Sequence, residues 1–330
     1  MLPVTDAVVL PKDADVTQQL NGSASSPHRG NSRRSRLGGL GWVMDIGIGL
    51  PTQVPDVAGK VLVDWAVRAE EAGFSSLGTV GRLVFPNYDD LIALAAAAAV
   101  TDRIRLTTSV LLAPLHANAA LLAKQAASID RLSNGRLVLG LGTGGRDDDF
   151  TASGLPTAGR GRRLAEQIEE MKRIWRGEER GLAGPIGPAP VREGGPELLV
   201  GAISEAGFRR VAGLVDGWIM GGGTPEMFAG LGAAVDQAWQ DAGRPGRPRK
   251  LALAYFALGP EARESANATI RFYYAWLGDL AEQIAAGTAA SPEMIKGYVA
   301  GFAEAGCDEL IFAPGSANLD QVTLLAEAIA

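Results

Sequence analysis

The sequence predicts an α/β fold, and within that class a TIM (β/α)8 barrel. From Met44 onward, runs of β-branched and apolar residues alternate with stretches of helical periodicity. Eight strand-helix pairs over about 285 residues match the number that closes such a barrel. Several predicted strands end in small or polar residues, such as "GTGG" and "GGGTP". Since active sites of this fold lie at the carboxyl ends of the strands, these clusters mark the predicted functional face.

The predicted elements alternate strictly along the chain. Apolar and β-branched runs predict strands at 44–49, 74–79, 104–110, 136–141, 197–202, 216–220, 250–257 and 308–313. Apolar residues at helical spacing predict helices at 57–72, 89–100, 118–133, 159–176, 204–213, 225–242, 261–287, 291–305 and 318–329. Each strand is thereby followed by at least one helix, as the barrel requires.

The composition is that of a globular enzyme. Of 330 residues, 47% are hydrophobic and 21% are charged. No apolar run reaches the roughly 18 residues that a membrane-spanning helix needs. The net charge of −6 gives no attraction to polyanions, so we predict no nucleic-acid partner and no membrane association.

Cysteine and histidine are scarce, and this restricts the chemistry. The single cysteine, Cys307, cannot form an internal disulfide and is predicted to be a core residue, which agrees with a reducing cytoplasm. Of the two histidines, His28 lies in a polar segment, which leaves His116. A histidine-rich metal site is therefore excluded, and no metal is predicted.

Residues 1–43 differ in composition from the rest of the chain. They are rich in Ser, Gly and Arg, and we predict a disordered extension before a single barrel domain at 44–330. Glycines and Asp45 interrupt the apolar segment that a twin-arginine export signal needs, so we predict a cytoplasmic protein. Because Met44 directly precedes the strand-like run "DIGIGLP", one hypothesis is that translation starts there.

The stretch "GLGTGG" at 140–145 matches the G-x-G-x-x-G pattern of dinucleotide-binding sites, but its context does not. That fingerprint belongs at the first strand-helix turn, whereas three strand-helix units precede this one. Arg146 and then Asp147 to Asp149 follow the glycines, and the three carboxylates would repel a pyrophosphate. We interpret this acidic run as a solvated face and expect the next helix only near residue 159. The glycines instead leave a strand end without side chains. Either a flat ligand lies against this backbone, or the glycines serve only a tight loop.

Several motifs occur in an order that is similar to that of one enzyme family. The segment "LLAKQAASIDRLSNGRLVLGLGTGG" is followed by "RRLAEQIEEMKRIWRGE", then by "VDGWIMGG" and "AGCDELIFAP". Over Met44 to Ala330 the sequence resembles the bacterial luciferase-like monooxygenases, which are flavin-dependent oxidoreductases. The resemblance implies a TIM barrel, commonly a homodimer, that binds reduced FMN or the deazaflavin coenzyme F-420.

The resemblance also implies which residues hold the cofactor. Ser109 and Val110 end the third strand, where the family has a bulge against the central flavin ring; an ordinary buried strand end is the alternative. Free helix amides after Ser204, beside glycines that follow the sixth strand, are expected to bind the phosphate; simple capping of the helix by Ser204 is the alternative. Two arginines of the fourth helix match arginines of the family or else face solvent. The full predicted set is Ser109, Val110, Gly142, Thr143, Gly144, Arg160, Arg163, Gly201, Ala202, Ser204, Glu205, Ala206, Gly221 and Gly222.

Two residues are candidates for chemistry at the barrel mouth. His116 lies beyond the third strand and is predicted to act as an acid/base or to contact substrate, or else to be a hydrogen-bonded loop residue. Arg82 follows the second strand and is predicted to pair with an anionic substrate or to stabilise a peroxyflavin oxygen. The aromatic run "RFYYAWLG" at 271–278 either lines an apolar substrate pocket as a variable lid or packs within its helix.

The function predicted from these features is that of a flavin-dependent monooxygenase. Reduced FMN, which a flavin reductase can supply, reacts with O2 at the strand ends and oxidises a small organic substrate in a water-poor pocket. Hydride transfer from reduced F-420 on the same scaffold is the main alternative. A non-catalytic flavin-binding protein is the second alternative. The sequence names neither the substrate nor the oligomeric state.

Overall fold

The structure confirms the predicted barrel. The computed structural model describes residues 34–36, 43–260 and 262–330, all of which belong to one compact unit, Asn31–Ala330. The described strands are β1 (Arg34–Arg36), β2 (Val43–Gly49), β3 (Ser76–Thr79), β4 (Arg105–Leu111), β5 (Leu137–Leu141), β6 (Glu197–Gly201), β7 (Gly217–Met220), β8 (Arg249–Phe256) and β9 (Glu309–Pro314). Strands β2 to β9 are parallel and follow chain order, and pairing of β2 with β9 closes the barrel.

A strand that was not predicted precedes the barrel. Strand β1 pairs antiparallel with the first three residues of β2, Val43 to Asp45, at the amino-terminal end of the barrel. It falls within residues 1–43, for which the sequence predicts disorder. Apart from β1 and Val43, that extension lies outside the described residues.

The helices agree with the predicted ranges except in two places. The described helices are α1 (Gly59–Glu71), α2 (Asp90–Ala98), α3 (Ala119–Leu132), α4 (Asp147–Ser153), α5 (Arg160–Trp175), α6 (Glu205–Leu214), α7 (Pro225–Asp241), α8 (Ala262–Tyr273), α9 (Asp279–Ala286), α10 (Pro292–Glu304) and α11 (Asp320–Ala328). Where helix and prediction correspond, each end agrees to within two residues. None of the described helices is both long and apolar enough to cross a membrane.

Two predictions about helices are wrong. The single helix expected at 261–287 is divided into α8, a short 3-10 turn at Ala275–Leu277, and α9, with Gly278 at φ 56° between them. The stretch expected to remain a loop until residue 159 contains α4, and the three acids of the run form its first turn. The helix dipole stabilises acidic side chains at a helix amino terminus. The three acids therefore favour a helix here, although their charge density alone indicated a loop.

A buried ion cluster closes the amino-terminal end of the barrel. Glu309, the first residue of β9, is fully buried and accepts hydrogen bonds from Ser75, Arg105 and Arg249. Asp45 of β2 also pairs with Arg105, at 2.8 Å between Oδ2 and Nη2. Burial raises the pKa of Glu309, but the two guanidinium groups outweigh burial and hold that pKa at about 2.

Apolar side chains fill the barrel interior in two layers. The central layer consists of Val138, Leu199, Ile219, Leu251 and Ile311. The layer nearer the carboxyl ends of the strands combines Val80, Leu253, Tyr255 and Ala313 with Ile270, Tyr273 and Ala285 from α8 and α9. Helices α8 and α9 therefore cover the mouth above β3, β8 and β9, and the ends of β5 to β7 carry its more exposed residues.

Cys307 is buried in the core, as predicted. Its Sγ lies 3.1 Å from the carbonyl oxygen of Glu309, and burial raises the pKa of the thiol. The residue therefore packs as a small apolar side chain at the start of β9.

Candidate cofactor and substrate site

A bulge interrupts β4 where the sequence predicts one. The pairing register between β4 and β5 shifts between Thr108 and Leu111, and the Ser109–Val110 peptide bond is cis. Ser109 Oγ donates a hydrogen bond to the carbonyl of Thr79 on β3, at 2.8 Å. The carboxyl end of β4 is thus tied to its neighbour while the main chain of the bulge departs from regular pairing.

Two glycines of β5 accommodate this bulge. A Cβ at Gly140 would overlap the carbonyl of Thr108, and one at Gly142 would lie 2.5 Å from the Val110 side chain. Gly144 has φ 72°, a backbone conformation that favours glycine. The glycines therefore serve close strand packing first. They also leave the end of β5 as backbone without side chains.

Strand β6 contributes main chain beside β5. Gly201 and Ala202 at its end, like Thr143 after β5, are partly exposed. The Ala202 carbonyl accepts a hydrogen bond from Trp218 Nε1 at 2.8 Å, which fixes this end of the strand. The predicted cofactor residues of β5 and β6 are therefore neighbours at one part of the mouth.

The start of α6 offers donors to an anion. Ser204 caps this helix, its Oγ accepting from the Gly207 amide at 3.4 Å. Glu205 and Ala206 are exposed, and amides in a first helical turn have no acceptor within the helix. Residues 221–222 follow the adjacent strand β7, and no atom lies within 4 Å of a Cβ built on either. Unsatisfied amides beside side-chain-free backbone fit an anionic phosphate group.

The two predicted arginines of α5 have different surroundings. Arg163 donates hydrogen bonds to the carbonyls of Pro156 and Ala158, and so fixes the loop before its own helix. Arg160 is partly buried and forms no ion pair with any described residue. Of these two, Arg160 is the one whose charge is available to a ligand.

Arg82, a predicted anion-binding residue, is already paired. Its Nη2 lies 2.6 Å from Asp148 Oδ2, and its Nε lies 3.9 Å from Asp149 Oδ1. Asp149 is buried and accepts hydrogen bonds from the amides of Leu83 and Val84. The interpretation of the acidic run as a solvated face is therefore wrong for Asp149, because α4 uses it to hold the segment after β3.

His116 directly follows the short turn Ala113–Leu115, beyond the end of β4. Its carbonyl accepts a hydrogen bond from Gln167 of α5 at 2.6 Å, and the residue is partly buried. Burial lowers the pKa of His116, and the charge of Asp89 opposes that effect. The imidazole is therefore neutral at neutral pH, which is the state of a proton acceptor.

Aromatic residues after β8 cover one half of the mouth. Tyr273 donates its hydroxyl to the carbonyl of Gly81 at 3.1 Å, and the hydroxyls of Tyr255 and Tyr274 lie 2.7 Å apart. Burial raises the pKa of all three phenols, so they stay protonated at neutral pH. Trp276 is 48% exposed. We call α8, α9 and the turn between them the aromatic cap.

Asp90 is a buried carboxyl group that the sequence analysis missed. It begins α2, and its carboxyl group fills the space beside Gly81 where a side chain would otherwise lie. Its Oδ1 has no hydrogen-bond partner. Burial raises the pKa of Asp90 to about 7, against the effect of the Thr79 hydroxyl and with a contribution from Asp89. Two adjacent acids before an apolar helix predict capping alone, so no sequence signal marks the second as buried.

Arg146 is a second buried charge that the sequence analysis missed. It follows the glycines of β5, is 8% exposed, and its Nε has no hydrogen-bond partner. Its guanidinium carbon lies 4.6 Å from the ring centroid of Tyr273 and 5.1 Å from that of Trp276. No carboxylate of the described residues pairs with it. An arginine before three acids predicts ion pairing, and the sequence does not show the rings that lie over it.

The mouth therefore has a main-chain half and a side-chain half. The ends of β4 to β7 present the bulge, backbone without side chains and the amides of α6. The ends of β3, β8 and β9 lie under the aromatic cap, with Asp90 and Arg146 at its edge. Within the described ranges, no group of three His, Cys, Asp or Glu side chains is placed to bind a metal ion. Such a mouth suits an organic cofactor with a substrate beside it.

Comparison with known proteins identifies the family. Residues 41–309 match the model of the luciferase-like monooxygenases, and the chain belongs to that family of oxidoreductases. The resemblance drawn from the motifs is thereby confirmed. A solved F420-dependent secondary alcohol dehydrogenase, in complex with an F420-acetone adduct, has a TM-score of 0.71 at 16% identity, over 87% of this chain and 99% of that one. At this identity the likeness supports the barrel fold alone.

Curated relatives differ in the cofactor that they name. An uncharacterized protein of Mycobacterium tuberculosis is 35% identical over 50% of this chain and 61% of its own length. The FMNH(2)-dependent dimethylsulfone monooxygenase of Pseudomonas putida is 28% identical over 62% and 54%, respectively. The F420-dependent glucose-6-phosphate dehydrogenase of Amycolatopsis mediterranei is 30% identical over 39% and 41%. The matched region spans less than two thirds of each of these relatives.

Proposed function

We propose that this protein is a flavin-dependent monooxygenase that uses reduced FMN and O2 to oxidise a small organic substrate. The observation that carries the proposal is the main-chain half of the mouth, where bare backbone lies beside the unsatisfied amides of α6. A flat, phosphorylated cofactor fits there, because its ring needs backbone without side chains and its phosphate needs donors. When bound, the flavin supplies the redox chemistry.

The residues predicted from the sequence have distinct parts in this proposal. Ser109 and Val110 at the bulge support the flavin ring. The glycines at the end of β5 allow the part of the cofactor that joins ring and phosphate to approach the main chain. The amides of Glu205 and Ala206 hold the phosphate. Arg160, which no described carboxylate neutralises, adds positive charge on that side.

His116 and the aromatic cap supply the chemistry of the protein itself. His116, neutral because burial lowers its pKa, accepts a proton from substrate on an imidazole nitrogen. The aromatic cap excludes water from half of the mouth, which favours oxidation of the substrate over unproductive side reactions. Both parts act around the cofactor and need no metal ion.

The likeness to an FMNH(2)-dependent monooxygenase over 62% of the chain supports FMN as the cofactor. A flavin reductase is then the expected partner, because the barrel itself must receive the flavin reduced. We also propose a cytoplasmic homodimer with neither nucleic-acid nor membrane partners, as the sequence predicts.

Hydride transfer with reduced F-420 is the second candidate. It is favoured by the 30% identity to an F420-dependent dehydrogenase, over a shorter part of the chain. The same backbone and phosphate positions serve either cofactor, so the two candidates differ in the reaction and in the use of O2.

The test gives each reduced cofactor to the purified protein with a panel of small organic substrates. With FMN, a flavin reductase and NADH regenerate the reduced form, and mass spectrometry follows isotope from labelled O2 into product. With F-420, oxidation of the deazaflavin is followed by absorbance without O2. Labelled product supports the monooxygenase. Substrate-dependent oxidation of F-420 under anaerobic conditions favours hydride transfer, and cofactor binding without any turnover favours a non-catalytic protein.

A further inference from the structure

We propose that Arg146 and the aromatic cap form the substrate subsite, and that this subsite binds the carboxylate of an aromatic or apolar organic acid. The inference rests on the proposed function, because it places the substrate next to a cofactor on the backbone of β5. It adds the chemical class of the substrate, which neither the fold nor the family determines.

The charge of Arg146 is the first reason. Three other arginines near the ends of the barrel have carboxylate partners: Arg82 pairs with Asp148, and both Arg105 and Arg249 pair with Glu309. Arg146 is more than nine-tenths buried and has no such partner among the described residues. A buried cation without a counter-charge is destabilising, so an anion supplied by a ligand completes the site.

The surroundings of Arg146 leave its buried Nε without a hydrogen-bond partner. The rings of Tyr273 and Trp276 lie at cation–π distances from the guanidinium, and the Tyr273 side chain is also hydrogen-bonded to it. The nearby phenols are protonated, because burial raises their pKa values while Arg146 opposes the rise. They therefore contribute no negative charge. The remaining donors, Nε among them, suit a carboxylate, which matches a guanidinium edge in shape.

The position of Arg146 connects the two halves of the mouth. It directly follows Gly145, where a Cβ would lie 3.4 Å from the Trp276 ring. The end of β5, where the cofactor is proposed, thus reaches the edge of the aromatic cap. Trp276, half-exposed there, offers a ring face to the apolar body of a ligand whose carboxylate lies on Arg146.

The test uses benzoate and benzamide as probes, because they share shape and differ in charge. Calorimetric titration of the FMN-saturated protein should show benzoate binding at least ~10-fold more tightly than benzamide. Arg146→Gln should weaken benzoate binding by roughly 10- to 100-fold and leave the affinities for benzamide and FMN unchanged. Arg146→Lys keeps the charge and loses the planar fork of donors. Its affinity for benzoate should lie between those of the wild-type protein and Arg146→Gln.

Arg271→Gln is the matched control, because it removes an exposed arginine of the same cap that pairs with Glu282. It should leave benzoate binding unchanged. Equal binding of benzoate and benzamide to the wild-type protein overturns the inference, and so does a preference for benzoate that survives in Arg146→Gln. If Arg146→Gln does not fold, the wild-type comparison and Arg146→Lys decide. FMN binding without a preference for benzoate overturns this inference alone. If FMN does not bind, the titration is repeated on the protein without FMN, and a preference for benzoate there overturns the proposed function alone.

Discussion

The two ends of the barrel differ in how completely their buried charges are paired. At the amino-terminal end, Glu309 lies between Arg105 and Arg249, and its pKa falls to about 2. At the carboxyl-terminal end, Asp90 and Arg146 are buried without an opposite charge among the described residues. Uncompensated buried charge is destabilising and is characteristic of functional sites. This difference is the one expected if the amino-terminal end stabilises the fold and the carboxyl-terminal end is the proposed ligand site.

Removing the carboxylate at the amino-terminal end should have the largest effect on stability. Glu309→Gln leaves two arginines without their partner, and we expect a loss of about 3 kcal/mol in the free energy of unfolding, measured by urea denaturation. Because the fold lowers the pKa of Glu309 from 4.5 to about 2, its contribution is complete above pH 4.5 and is lost as the pH falls towards 2. Glu282→Gln, in an exposed ion pair, is the control and should change little. An unaltered unfolding curve for Glu309→Gln would contradict the comparison.

The carboxyl group at the other end should have the opposite pH dependence. Asp90 has a pKa of about 7 in the fold against 3.8 for the ordinary group, so the folded state binds this proton more tightly. The free energy of unfolding should therefore fall by about 3 kcal/mol between pH 4 and 7 in the wild-type protein. Asp90→Asn should remove that fall, as urea denaturation at several pH values will show. Asp64→Asn, in the exposed pair with Lys60, should keep it. An equal fall in Asp90→Asn would show that another group causes it.

The fold was largely predictable from the sequence, whereas two buried charged residues of the mouth, Asp90 and Arg146, were not. Strand and helix periodicity located the barrel because apolar faces repeat within each element. The prediction of a single helix at 261–287 was wrong because Gly278 interrupts a helical pattern of apolar residues that continues on both sides of it. Asp90 and Arg146 were missed because burial of a charged residue depends on segments distant in sequence, here the segment after β3 and the aromatic cap.

Loss of the imidazole should slow turnover without weakening cofactor binding. His116→Asn should lower kcat by ~100-fold, as expected for removal of a positioned proton acceptor. In the wild-type protein the rate should rise with pH through the pKa of His116, which burial holds below 6.5. The variant should lack this rise. A variant that keeps the same rise on the acid side would assign it to another group, with Asp90 as the first to examine.

The smallest of the expected effects is a weaker binding of the cofactor when a carboxylate is placed in the proposed phosphate position. Gly221→Asp inserts negative charge where no atom lies within 4 Å of a Cβ, and we expect the Kd for FMN to increase by ~10-fold. Gly181→Asp is the matched control, since its Cβ also meets no atom within 4 Å and it lies in the connection between α5 and β6. A Kd that changes equally in both variants would count against a phosphate position at residue 221.

The most direct test of the central claim, that the carboxyl-terminal end of the barrel binds a phosphorylated flavin-type cofactor, is a difference-absorbance titration of the purified protein with FMN and with F-420. The account predicts a saturable spectral shift with at least one of them, which Gly221→Asp weakens and Gly181→Asp leaves unchanged. Absence of any shift with either cofactor, in a protein whose circular dichroism shows it folded, would contradict the account.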